Sequence, residues 1–336
     1  MAGNNITRRD FLSGASALTA ASILGMPDIA SAEPAPEIKT IRLVDVPAIC
    51  LAPMYVAEEL LRTESFSQIE YVRMESATDV NVVVDGQADM FMWDLPGIIP
   101  MIDRSTSLVV LSGVHAGCYE LIGNDSVRTM RDLRGKTIAV NSFGAGDHVL
   151  ISSILAYVGM APDTDIRWIG GAKFGDAMEM FVAGEADAFM GFAPLPQLVR
   201  KMKIGHVLVN TAQDRPWSQY YCCAVAANRD FTERYPVATK RALRALLKAA
   251  DICATQTTRV ARYLVERGFE PPYDINLEVL DSLPYDRWRE ANVEDTIRFH
   301  ALRLHEVGML KTTPNELVSR SVDRRYLDGI RKELKA

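Results

Sequence analysis

The feature that most restricts the fold is a segment that occurs twice. Val84-Asp85-Gly86-Gln87-Ala88-Asp89-Met90-Phe91-Met92 leads up to Pro96, and Val182-Ala183-Gly184-Glu185-Ala186-Asp187-Ala188-Phe189-Met190 leads up to Pro194. Seven of the thirteen positions are identical without a gap, at a constant offset of 98 residues. Each copy reads as a helix end, a glycine stop, a short apolar strand, a loop and a helix opened by proline. Around both copies, short apolar runs alternate with stretches of helical spacing. Strands are expected over 41–46, 69–74, 88–92, 108–114, 119–122, 137–141, 166–169, 188–190, 207–209 and 219–226. Helices are expected over 53–62, 78–85, 96–103, 147–158 and 176–182, and the chain turns mostly helical from Pro236. That alternation is the pattern of βαβ units in parallel sheets. The expected fold is therefore α/β with two lobes, each presenting a strand end beside a helix N-terminus, where open α/β sheets place ligands.

The N-terminus carries an export pattern. Arg8-Arg9-Asp10-Phe11-Leu12 is followed by a charge-free small and apolar stretch to Met26, then by Ala30-Ser31-Ala32. Basic start, apolar middle and small-residue cleavage site define a secretory signal, and the arginine pair before Phe-Leu resembles a twin-arginine signal. Residues 1–32 are expected to be removed, and the mature protein to be periplasmic. No Cys stands at the cleavage point, so no lipid anchor is expected. Two Arg and two Asp leave with the signal, so the net charge stays at -6. That balance, without a basic tract, argues against nucleic-acid binding. The five cysteines, Cys50, Cys118, Cys222, Cys223 and Cys253, show no zinc-type spacing. They read as buried thiols behaving as small apolar groups, with at least one unpaired because the number is odd. No metal or cofactor is expected.

Several motifs carry a resemblance to a known family. Ala52-Pro53-Met54-Tyr55-Val56-Ala57-Glu58-Glu59, Gly86-Gln87-Ala88-Asp89, Met130-Arg131-Asp132-Leu133-Arg134-Gly135-Lys136-Thr137-Ile138-Ala139-Val140 and Gly184-Glu185-Ala186-Asp187-Ala188 are similar to segments of type II periplasmic binding proteins. Within that class the chain resembles the nitrate/sulfonate/taurine and thiamine-precursor group. The resemblance spans about Ile41 to Ala250 and implies two α/β lobes joined by two crossing strands, with the ligand between them and a helical C-terminal extension. The crossings are expected near His115–Glu120 and Gln219–Cys223. Lobe one is then 38–116 plus 224–336, and lobe two 117–223. The implied partners are a small-molecule ligand and the permease and ATPase of an ABC importer in the inner membrane. The protein itself is expected to be monomeric.

Candidate ligand contacts follow from the loops at the strand ends. Asn141 to His148 joins a strand to a helix; Gly144 and Gly146 permit close backbone approach, and free N–H groups at the helix start favour an anion. Ser142, Phe143, Asp147 and His148 belong to the same loop, although Asp147 opposes an anion there. Trp93 and Asp94 follow one echoed strand; Phe192 and Pro194 follow the other. An aromatic on each side suits a ligand with an apolar body. Pro47, Ala48 and Met54 flank the loop after the first strand, and Tyr119 and Tyr220 lie at the crossings. Each of these also fits ordinary packing or helix capping. Two rival functions share the fold: an enzyme similar to aromatic sulfinate desulfinases with Cys50 as nucleophile, and a sensor subunit of a signalling system. Cys50 lies among Ala48, Ile49, Leu51 and Ala52, none of which lowers a thiol pKa. The expectation is thus an exported receptor without catalysis, taking an organic acid, sulfonate or zwitterion with an apolar body.

Overall fold

The computed structural model describes residues 33–46, 48–74, 81–290 and 292–334; the export segment and Pro47 lie outside them. Residues 36–336 form one compact unit. Two five-stranded mixed sheets organise it. The strands are β1 (Thr40–Asp45), β2 (Gln68–Arg73), β3 (Met90–Asp94), β4 (Leu108–Ala116), β5 (Tyr119–Gly123), β6 (Thr137–Val140), β7 (Arg167–Gly170), β8 (Ala188–Phe192), β9 (His206–Asn210) and β10 (Tyr221–Asn228). The first sheet has the order β2-β1-β3-β10-β4 and the second β7-β6-β8-β5-β9. In both, the first three strands are parallel and the fourth runs antiparallel to its neighbours. The antiparallel strand is exchanged: β5, which directly follows β4, sits in the second sheet, and β10, which follows β9, returns to the first.

The duplicated segment maps onto the same place in each sheet. β3 and β8 begin and end at positions 98 apart. Gly86 and Gly184 both take a left-handed backbone, with φ of 72° and 80°, which a residue with a Cβ adopts at a cost. The Asp89 carboxylate accepts the Arg42 backbone N–H at 2.8 Å, and Asp187 accepts that of Thr137 at 2.9 Å. The repeated aspartate thus ties each echoed strand to the parallel strand beside it, β1 or β6. β3 and β10, inside the first sheet, are buried along their whole length, and so is β4 at its edge, where the helical tail packs on it, whereas the edge strands β2 and β7 alternate or stay half-exposed. Apolar runs therefore mark the covered strands and mixed runs the uncovered edges.

Helices cover the sheets. α1 (Ala52–Thr63), α2 (Asn81–Val84) and α3 (Leu95–Arg104) belong to the first; α4 (Gly146–Tyr157), α5 (Pro162–Asp165), α6 (Asp176–Val182) and α7 (Leu195–Lys201) belong to the second. After β10 follow α8 (Arg229–Arg234), α9 (Pro236–Thr255), α10 (Thr257–Glu266), α11 (Tyr273–Ser282), α12 (Val293–Glu306), α13 (Pro314–Ser321) and α14 (Arg325–Glu333). This helical tail reaches the centre of the molecule. Tyr285, fully buried, donates its hydroxyl to the Ile49 carbonyl at 3.0 Å, and its ring stands edge-on to His115. Trp288, also fully buried, donates its indole N–H to Asp251 at 2.9 Å. Among the described residues, no helix is long and apolar enough to cross a membrane.

Candidate functional site

The chain passes between the sheets twice, at Gly117–Cys118 and over residues 211–220, which include a short 3-10 turn at Trp217–Gln219. The second strand thus begins at Tyr221, inside the segment expected to cross. Beside these passages lies a small cavity lined by Ala48, Cys50 and Leu51 after β1, by Trp93 and Asp94 at the end of β3, and by Cys118, Tyr119, Phe192 and Cys223. Its volume is about 20 Å³, room for roughly one water molecule. Phe192 also lines an outer vestibule of about 740 Å³, together with Tyr71, Arg73, Phe174, Pro194 and Arg267. A further groove of about 520 Å³ runs along Thr255–Glu266 and is lined by that segment alone.

Five of the candidate ligand contacts meet at the inner cavity: Ala48, Trp93, Asp94, Tyr119 and Phe192. Trp93 and Asp94 are the last residues of β3 rather than part of a loop after it, because the strand runs two residues further than its apolar core. Pro194 lines the vestibule. The others pack elsewhere. Met54 is buried on α1. Tyr220 stacks on Phe299 of α12 with ring centroids 4.0 Å apart. The aromatic pair there holds the second passage against the helical tail, away from the cavity.

The loop before α4 is occupied by its own contacts. Asp147 accepts the Asn141 backbone N–H at 2.6 Å, the Asn141 amide at 2.9 Å and the His148 backbone N–H at 2.9 Å. Burial nevertheless raises its pKa to about 6. His148 accepts the Gly144 N–H at Nδ1, 3.1 Å away, and stands edge-on to Trp168. Phe143 is exposed and Ser142 buried; neither lines either cavity. At Gly146 the space a side chain would occupy is filled from across the molecule: a Cβ there would lie 2.0 Å from Asp94 Oδ1. The helix start expected to hold an anionic ligand thus faces the protein's own carboxyl group. Asp94 also caps α3, accepting the Gly97 N–H at 2.7 Å. Burial, then the nearby Cys222, pushes its pKa well above the carboxylate range.

Of the thiols at the cavity the sequence singles out only Cys50, as the nucleophile of the rival enzyme; Cys118, Cys223 and Leu51 carry no such signal. Cys50, Cys118 and Cys223 sit on three different elements, and their sulfurs all lie within 4.8 Å of one another. A bulge in β10 between Tyr221 and Cys223 also brings Cys222 into hydrogen bonding with Cys118. Only Cys253, inside α9, keeps to the expected role of an isolated apolar thiol, its pKa raised by burial. His115 lies beneath the cluster, with Nε2 3.0 Å from the Cys50 carbonyl oxygen and Nδ1 3.3 Å from that of Ala116. Hydrogen bonds from Cys118 and Cys223, and the neighbouring His115, hold the Cys50 pKa well down. The local sequence around Cys50 supplies none of these groups; β4, β10 and the first passage do. No Lys or Arg lines the inner cavity.

Residues 116–279 match the model of the NMT1-like family. No curated protein sequence matches the chain. Among solved structures, the periplasmic nitrate-binding protein NrtA of Synechocystis PCC 6803 superposes with a TM-score of 0.75 at 16% identity, covering 90% of each chain. The alkanesulfonate-binding protein SsuA of Xanthomonas axonopodis pv. citri gives 0.71 at 18% identity over 88% of this chain and 100% of its own. The aliphatic sulphonate-binding protein SsuA of Escherichia coli gives 0.68 at 18%, over 85% and 92%. The chain therefore has the fold of these periplasmic binding proteins, and its residues 116–279 are similar to the NMT1-like family.

Proposed function

We propose that the chain is the extracytoplasmic solute-binding component of an ABC importer. It captures a small molecule between two lobes by hinge closure and hands it to a permease with its ATPase in the inner membrane. The observation that carries this reading is the outer vestibule together with the inner cavity it meets at Phe192, set among strand ends of both sheets beside the two passages that join them. Ligands of open α/β sheets lie at such strand ends, and two short connections are what hinge motion uses. The lobes are residues 38–116 plus 224–336 and residues 117–223, and the mature protein is a periplasmic monomer. The structural neighbours bind nitrate and sulfonates by their names. The vestibule supports an organic acid, sulfonate or zwitterion with an apolar body, since Arg73 and Arg267 line it together with Tyr71, Phe174 and Phe192. Catalysis by Cys50 is not favoured: the thiol is buried in a cavity with room for roughly one water molecule, and His115 directs Nε2 to the Cys50 backbone rather than to its sulfur.

A thermal-shift screen across sulfonates, aromatic carboxylates, amino-acid-like zwitterions and pyrimidines tests the reading, followed by solution scattering on the best compound. A ligand is expected to raise the melting temperature by mass action and to reduce the radius of gyration. Failure of every class to do either, alongside turnover that Cys50→Ser abolishes, would replace a receptor with an enzyme.

A further inference from the structure

The inner cavity is too small for the body of an organic ligand, whose sites usually enclose about 300 Å³ or more, and its walls point to a different occupant. Three thiols from three separate elements converge on it. Cys50 lies in the 3-10 turn Ile49–Leu51, Cys118 in the first passage between sheets, and Cys223 in β10. All three are buried and line the cavity, and their sulfurs lie within 4.8 Å of one another. In a tetrahedral site with metal–sulfur bonds near 2.3 Å, sulfurs stand about 3.8 Å apart. The triangle is therefore within about 1 Å of a metal-ligating arrangement without backbone rearrangement. The electrostatics agree. No Lys or Arg lines the cavity, so thiolates there have only a bound cation to offset their charge. Three sulfur donors in one small cavity are the donor set of soft, thiophilic cations rather than of hard ones.

We infer that Cys50, Cys118 and Cys223 form a three-thiolate site for a thiophilic divalent cation of the zinc and cadmium class, its fourth position open to the cavity beside Asp94. Binding forms three metal–sulfur bonds and releases the proton of each ligand that is still a thiol, with no change of oxidation state. The open position resembles sites that hold three protein ligands and leave one coordination place for water or substrate. The site adjoins the vestibule at Phe192, but none of its three sulfur ligands lines the vestibule, so a cation here and an organic solute there are tested by different measurements.

The test uses purified, fully reduced, metal-free protein with all five thiols titratable in denaturant. Cadmium(II) and zinc(II) are the probes. One equivalent is expected to bind, with a sulfur-to-cadmium charge-transfer band, and X-ray absorption on the wild-type protein should count three sulfur neighbours. Cys50→Ser, Cys118→Ser and Cys223→Ser should each weaken binding more than roughly 100-fold, beyond what loss of an outer-shell partner costs. Cys253→Ala should leave it unchanged. Circular dichroism separates lost ligation from lost folding, and the wild-type sulfur count needs no variant at all. The inference is overturned if the reduced protein takes up no cadmium, or if the bound metal has oxygen or nitrogen neighbours only. An organic solute that still causes lobe closure in that event would leave the receptor reading intact.

Discussion

Asp94 shows how one side chain takes its character from its surroundings. It ends β3, caps α3 through Gly97, and fills the space in front of Gly146. Burial keeps its proton on far above the usual range. An unfolded aspartate titrates near about 3.9. Between that value and the folded pKa the native state holds a proton that the unfolded state has lost. Stability is then greatest at low pH and falls as pH rises toward the folded pKa, by up to about 1.4 kcal/mol per pH unit. Asp147 adds a second loss that ends near its own pKa of about 6. Asp94→Asn keeps the acceptor for Gly97 and removes the ionisation. The variant should therefore melt above the wild type at pH 8, with the advantage shrinking toward pH 4. Parallel melting curves across that range would mean that Asp94 is ionised in the folded protein. Sequence alone suggested Asp94 as a hydrogen-bond acceptor and helix cap; the neutral, buried acid emerges only from what encloses it.

Helix α4 and strand β3 together make the second case. The start of α4 was legible: Gly144 and Gly146, then an apolar run, between a strand and a loop. Its exposed N–H groups read as an anion site because a helix start carries partial positive charge. What occupies the space before it comes from residue 94, in the other sheet, which no local pattern announces. Gly146 lacks a side chain because that carboxyl sits there: an added Cβ would lie 2.0 Å from Asp94 Oδ1 and 2.5 Å from its Cγ. Gly146→Ala should cost about 1–3 kcal/mol, the usual range for overpacking. Asp94→Ala in the same protein should recover most of that loss. A double-mutant cycle in urea measures the coupling, and strict additivity would show that the two elements do not press on each other.

At the scale of the whole molecule, the two passages between the sheets touch. Gly117 has φ of +51°, and a Cβ on it would lie 2.2 Å from the Ala212 Cα and 2.3 Å from its backbone nitrogen. Both obstacles are backbone, so neither can rotate away. Gly117→Ala should lower stability by at least about 3 kcal/mol, combining backbone strain with overpacking. Gly144→Ala is the control: φ is +82° and nothing lies within 4 Å, so only the left-handed backbone cost of about 1–2 kcal/mol applies. Equal midpoints in denaturant for the two variants would show that the passages are not in contact. The strands, most helices and the 98-residue repeat were set by the sequence itself, since hydrophobic period, glycine stops and prolines act within a few residues. The exchange of β5 and β10 between sheets was decided only in three dimensions, because pairing partners are chosen by which buried edges remain to be satisfied. So was the cavity: Cys50, Cys118 and Cys223 have no spacing to recognise, and they become neighbours only when β4, β10 and the first passage pack against the turn after β1.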